Sequence, residues 1–211
     1  MGRFQLAGVP VEIRNDFLII TLLLALGRLS TPVLMLEWFV VVFVSILVHE
    51  LGHAIAFRAF GHAPRIELNG MGGLTFPTPG LPLSHGRSIV VSLAGPGAGF
   101  VFGGLVLVLD AFVLPPQSSL VMTQAIADLK WVNIGWGFVN LLPIVPLDGG
   151  HVVQAVLRQR MMRSDADALA LKITVATAAL GVAVALSQSM TWAALMAAYF
   201  GLTAFRNLRE A

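Results

Sequence analysis

Long apolar runs separated by short polar stretches set the pattern of this chain. A helix crosses the hydrocarbon core of a bilayer with about 20 largely apolar residues. Five runs approach that length: 34–57, 89–113, 126–145, 169–186 and 190–205. A shorter run, 17–29, makes a sixth with its flanking residues. Two stretches depart from this pattern. FQLAGVPVEI (4–13) and IELNGMGGLTF (66–76) are short strand-like runs around glycine and proline. Non-helical backbone survives at membrane depth only when it is paired or buried in protein. The second stretch therefore predicts a hairpin-like re-entrant segment and the first a partner strand, with two cytoplasmic surface loops as the alternative. Taken together, the pattern predicts an all-α polytopic membrane protein of about six transmembrane helices with a small membrane re-entrant β element. It forms one domain over residues 1–211.

Composition agrees: 57% of the 211 residues are hydrophobic and 11% are charged, where a soluble domain carries roughly 25% charged residues. With a net charge of +2 and no aromatic-basic interleaving, the chain offers nothing to a nucleic acid. It has no cysteine, so disulfides and thiolate chemistry are excluded and any metal must be held by His, Asp or Glu. The N-terminal residues lack an apolar core beside the first charge and do not read as a cleaved signal peptide. Charge also predicts orientation, because cytoplasmic loops carry the excess of Lys and Arg. With six spans and a cytoplasmic N-terminus, Arg3, Arg14, Arg58, Arg65, Arg87, Arg158, Arg160, Arg163, Lys172, Arg206 and Arg209 fall inside, and only Arg28 and Lys130 fall outside. Both termini are then cytoplasmic.

The chemistry-bearing motif is HELGH at 49–53, inside the second apolar run. Residues four apart on a helix share a face, about 6 Å apart along the axis. His49 and His53 can therefore aim two imidazole nitrogens at one ion, with Glu50 beside them to handle a proton. Ionisable groups within an apolar span are expensive, and a metal would compensate them. A buried polar cluster that only hydrogen-bonds between helices is the bland alternative. Catalytic zinc commonly keeps three protein ligands and an open position. Glu12, Asp16, Glu37, Glu67, Asp110, Asp128, Asp165, Asp167 and Glu210 all fall at span ends or in loops. Asp148 differs: it lies in NLLPIVPLDGG, where Pro143 and Pro146 break helix hydrogen bonding and Gly149 and Gly150 permit unusual backbone. Asn133 and Asn140, seven apart, share a helix face; Asn133 leans towards packing. Gly95, Pro96, Gly97 and Gly99 let helices approach closely. His151 reads as a supporting residue, and His62 and His85 as solvated loop residues.

HELGH, then SLAGPGAGF (92–100), then NLLPIVPLDGGH (140–151) are similar, in order and spacing, to the signature set of the site-2 protease family of intramembrane zinc metalloproteases, peptidase family M50. GVPVEI and GMGGLTF also resemble that family's N-terminal strand and re-entrant loop. The resemblance covers roughly residues 4 to 160. It implies one Zn2+ per chain on His49, His53 and Asp148, with Glu50 as catalytic base and Asn140 near the scissile carbonyl. It further implies a membrane-protein substrate cut within or near a transmembrane helix. The compact, multi-pass form points to a prokaryotic plasma membrane, with an organelle as the alternative. Gly97, Ala98 and Gly99 stand where many members have Asn or Ser after the Gly-Pro pair. A PDZ or CBS domain is not expected, which makes this a minimal form. A metal-binding transporter, an inactive family member and a membrane zinc enzyme acting on a lipid or small molecule are the competing readings.

Overall fold

The structure, a computed structural model, describes residues 2–113 and 119–210; residues 1, 114–118 and 211 lie outside that description. Two compact units divide the chain, one of Met1–Pro82 and Ala94–Phe138, the other of Leu83–Leu93 and Val139–Ala211.

In the first unit, strands β1 (Gly2–Leu6), β2 (Val9–Ile13), β3 (Arg65–Asn69) and β4 (Gly72–Phe76) form one sheet in that order. The outer pairs are antiparallel hairpins, and β2 and β3 run parallel, with Val11 opposite Ile66 and Ile13 opposite Leu68. The segment expected as one partner strand is thus two strands. Ala7 and Gly8 both have positive φ, the geometry that closes a two-residue hairpin, and the Arg58 guanidinium donates to the Ala7 carbonyl at 2.6 Å. Pro10 has no N–H to give a ladder and sits before the β2–β3 pairing, which covers residues 11–13 of β2. Strand alternation puts Val9, Val11, Ile66 and Leu68 on one face. There they bury together with Phe17 and Ala54.

Helices α1 (Asn15–Leu24), α2 (Pro32–Ala59), α3 (His85–Phe112), α4 (Leu120–Lys130) and α5 (Trp136–Asn140) follow, with a 3₁₀ turn at Leu26–Arg28 and a π-helical turn at Trp131–Gly135. Of the described helices, α2, α3 and the helix Arg163–Ser187 are long and apolar enough to cross a membrane. Their large apolar side chains point outward: Leu36, Ile55, Val101 and Leu180 are each 65–67% exposed. Such a surface suits lipid and not water. The Asp16 carboxylate accepts from Gly70 N–H in the β3–β4 turn at 3.1 Å. That bond, aided by Arg14, holds the Asp16 carboxyl below its ordinary range. The tether is complete near neutrality and is lost as pH falls through the lowered value.

Glu37 and Asp128 lie near the ends of α2 and α4. Both are buried, and both meet Arg28, at 2.8 and 2.5 Å. Arg28 also stacks over Trp38, 4.8 Å from the ring centre, and Lys130 pairs with Asp110. The two cations that break the charge asymmetry are therefore both ion-paired, as desolvated charges must be.

The second unit holds α6 (Asp148–Leu157), α7 (Arg163–Ser187) and α8 (Thr191–Glu210). The fourth expected span, 126–145, is instead helical over 120–140. Helix α6 has no counterpart among the expected spans, because its ten residues are too few to cross a bilayer and its paired glycines read as a break. Ala166, Ala170, Thr174 and Ala178 form a buried small-residue stripe on α7, which lets helices pack closely. Gly181 approaches Ala197, and Gly201 approaches Ala178. Thr174 is fully buried; its hydroxyl accepts from Val145 N–H at 3.0 Å and donates to the Ala170 carbonyl at 2.9 Å. Replacing Thr174 with Val leaves that N–H without its acceptor. Stability should fall by about 1–3 kcal/mol, which thermal unfolding in detergent, compared with wild type, will measure.

Candidate metal centre

HELGH occupies the later turns of α2. Helical periodicity brings His49 and His53 onto one face, and their Nε2 atoms stand 3.1 Å apart, with the rings near-perpendicular at 76°. Two imidazoles about 2.0–2.1 Å from one tetrahedral zinc would have nitrogens roughly 3.3 Å apart. The pair thus has the spacing of two ligands converging on one ion. His53 is buried and His49 half-buried. Helix α3 closes over them through Gly95: a Cβ there would overlap the His53 imidazole and come within 2.7 Å of His49 Nε2. The sequence marked this glycine for close helix approach. The atoms that approach it are the two histidine rings.

Glu50 is 4% exposed and turns about 100° away from His49, towards the sheet. Thr75 of β4 donates its hydroxyl to Glu50 Oε2 at 2.7 Å, and the Glu50 backbone carbonyl lies 3.1 Å from the same Thr75 hydroxyl. A Cβ on Gly73 would overlap the Glu50 side chain. Neither Thr75 nor Gly73 was singled out from sequence. The available signal was their shared parity on a strand-like run that follows HELGH.

Asn133 is buried in the π-helical turn, where its side-chain N–H₂ donates to Ser45 Oγ and to the Leu129 carbonyl, both at 2.8 Å. This is helix packing, and it anchors α2 one turn before His49. The π turn also interrupts the α spacing that placed Asn133 and Asn140 on one face. His62 is not a solvated loop residue: it is 5% exposed and lies edge-on to Phe57, ring centres 5.4 Å apart. His85, by contrast, opens α3 at an exposed position.

In the second unit, Asp148 is the first residue of α6 and is half-buried. A tight turn delivers it, with Leu147 N–H bonded to the Ile144 carbonyl at 2.6 Å. Gly149 and Gly150 serve by lacking a Cβ, which would overlap the Leu141 and Ile144 backbone. Asn140 ends α5, half-buried, and His151 is exposed.

Residues 116–181 match the model of peptidase family M50. A zinc metalloprotease of Methanocaldococcus jannaschii is 25% identical over 159 residues, 74% of this chain and 45% of the relative. Over these stretches the chain is similar to peptidase family M50. A candidate zinc metalloprotease of Synechocystis is 32% identical over 124 residues, 56% of this chain and 30% of that protein. The chain thus spans less than half the length of these curated relatives. Among solved structures, a site-2 protease from Methanocaldococcus jannaschii has the same fold. Its TM-score is 0.66 at 22% identity, over 98% of this chain and 94% of that one. Three of the described helices are long and apolar enough to cross a membrane, which fits that likeness.

Gly95→Ala should push the two imidazoles apart. Changes that disturb ligand orientation cost about 10- to 100-fold in metal affinity, and titration of metal-free protein with zinc will show whether affinity falls that far.

Proposed function

We propose that this chain is a zinc-dependent intramembrane endopeptidase that cuts a peptide bond within or near a substrate's transmembrane helix. The observation that carries the reading is the paired imidazoles, 3.1 Å apart, beside a buried Glu50 on a span-length apolar helix. In this reading His49, His53 and Asp148, each offering one ligand atom, hold one Zn2+. The ion's contribution when bound is Lewis acidity, which makes water a competent nucleophile near neutral pH. Glu50 accepts the proton of the attacking water and returns it to the departing amine. Asn140 donates a hydrogen bond to the carbonyl oxygen as its charge grows. A helical peptide bond is shielded by its own hydrogen bonds, so the substrate unwinds locally. Strand β4, with a neighbour on one side only, can receive the unwound segment as an added strand.

Three variants test the assignment. Glu50→Gln keeps shape and removes the proton acceptor, so zinc content should stay at one per chain while cleavage of a transmembrane peptide falls about 10²- to 10⁴-fold. His53→Ala and Asp148→Ala should lose zinc. Full zinc occupancy in both removes the ligand assignment, and wild-type turnover in Glu50→Gln removes the base.

The same reading keeps six spans in one domain, in a prokaryotic plasma membrane with both termini cytoplasmic. What supports it is the split of eleven cations against two, the two being ion-paired. Reporter fusions at each end should both report cytoplasm; a C-terminal reporter on the far side means an odd number of spans.

A further inference from the structure

Strand β4 is shaped around the Glu50 side chain. On a strand, residues two apart share a face, and Gly73 and Thr75 are such a pair, set opposite Leu68 and Ile66 of β3. That face looks onto α2. At Gly73 the missing Cβ leaves the space that the Glu50 carboxyl group occupies. At Thr75 the hydroxyl donates to Oε2 at 2.7 Å, within a short charge-assisted range. The residue between them, Leu74, points the other way and is 48% exposed. The ladder between β3 and β4 is made by backbone groups, so the Thr75 hydroxyl is not needed to form the strand.

The geometry points to Thr75 as a positioning residue for Glu50: its hydroxyl fixes the carboxylate rotamer, and so ties the aim of the base to the seating of β4 against α2. The inference rests on the protease reading above. A glutamate side chain has three rotatable bonds and loses considerable freedom when ordered; a hydrogen bond from a packed strand removes that freedom before substrate arrives. Such preorganisation acts on turnover more than on substrate affinity.

The test compares Thr75→Val, Thr75→Ser and Glu50→Gln with wild type in detergent, reading zinc content, kcat and KM on a transmembrane peptide. Thr75→Val retains the β-branched shape that suits a strand. It should hold one zinc per chain with KM unchanged, while kcat falls about 10- to 100-fold, the loss expected for one hydrogen bond to a charged group. Thr75→Ser restores the donor and should recover most of kcat. A second readout needs no turnover. In metal-free protein, the Glu50 carboxylate stretching band, identified by its loss in Glu50→Gln, should shift in Thr75→Val and return in Thr75→Ser. Wild-type kcat and an unshifted band in Thr75→Val overturn the inference. So does a Thr75→Ser variant as impaired as Thr75→Val, which would assign the effect to packing. Zinc-dependent turnover that Glu50→Gln abolishes confines such a failure to Thr75; turnover unaffected by Glu50→Gln overturns the protease reading with it.

Discussion

Polar side chains on a span-length apolar helix need partners, because bare polar groups in a low-dielectric surrounding cost several times what a paired one does. Helix α2 carries Glu37, Ser45, His49 and His53 at multiples of four, along one ridge of the helix. Arg28 meets Glu37 and Asn133 meets Ser45, and the two imidazoles face each other under Gly95. Glu50 stands off that ridge by one residue and finds its partner in the sheet. The arrangement of the first unit follows from satisfying this single helix.

That requirement explains why a small sheet belongs in an otherwise helical chain. A β-strand presents side chains at a period of two, so β4 can offer space at Gly73 and a donor at Thr75 to the same carboxyl group. A helix face would offer positions three or four apart. The sheet is fixed in turn by its own apolar face, Val9, Val11, Ile66 and Leu68, buried with Phe17 and Ala54. The contact to the Glu50 carboxyl group and hydrophobic packing thus share one strand pair, with β3 supplying the core and β4 the contact.

Much of this was legible in the amino-acid order. Apolar run length located the helices, and the spacing of HELGH foretold that His49 and His53 would meet, since both depend on local periodicity alone. The strands were visible as glycine- and proline-bounded runs, but the turn at Ala7 was not, because positive φ at an alanine has no compositional mark. Glu37 and Asp128 read only as span-end or loop residues, and His62 as a solvated one, because burial is set by tertiary neighbours that sequence does not name. The end of α5 at Asn140 and the whole of α6 were obscured for a related reason. The prolines at 143 and 146 mark a break, yet they do not say that a new helix starts at Asp148.

Arg58 shows how one residue can answer to two different readers. As a positive charge it counts towards the asymmetry by which a membrane chain is oriented during insertion. As a guanidinium it pins the carbonyl of Ala7, at a backbone conformation that alanine seldom adopts. Lysine would satisfy the first reader and serve the second less well, since an ammonium on a flexible stem cannot reproduce a rigid planar fork. At this position the choice between two cations is made by the hairpin, and charge counting alone cannot see it.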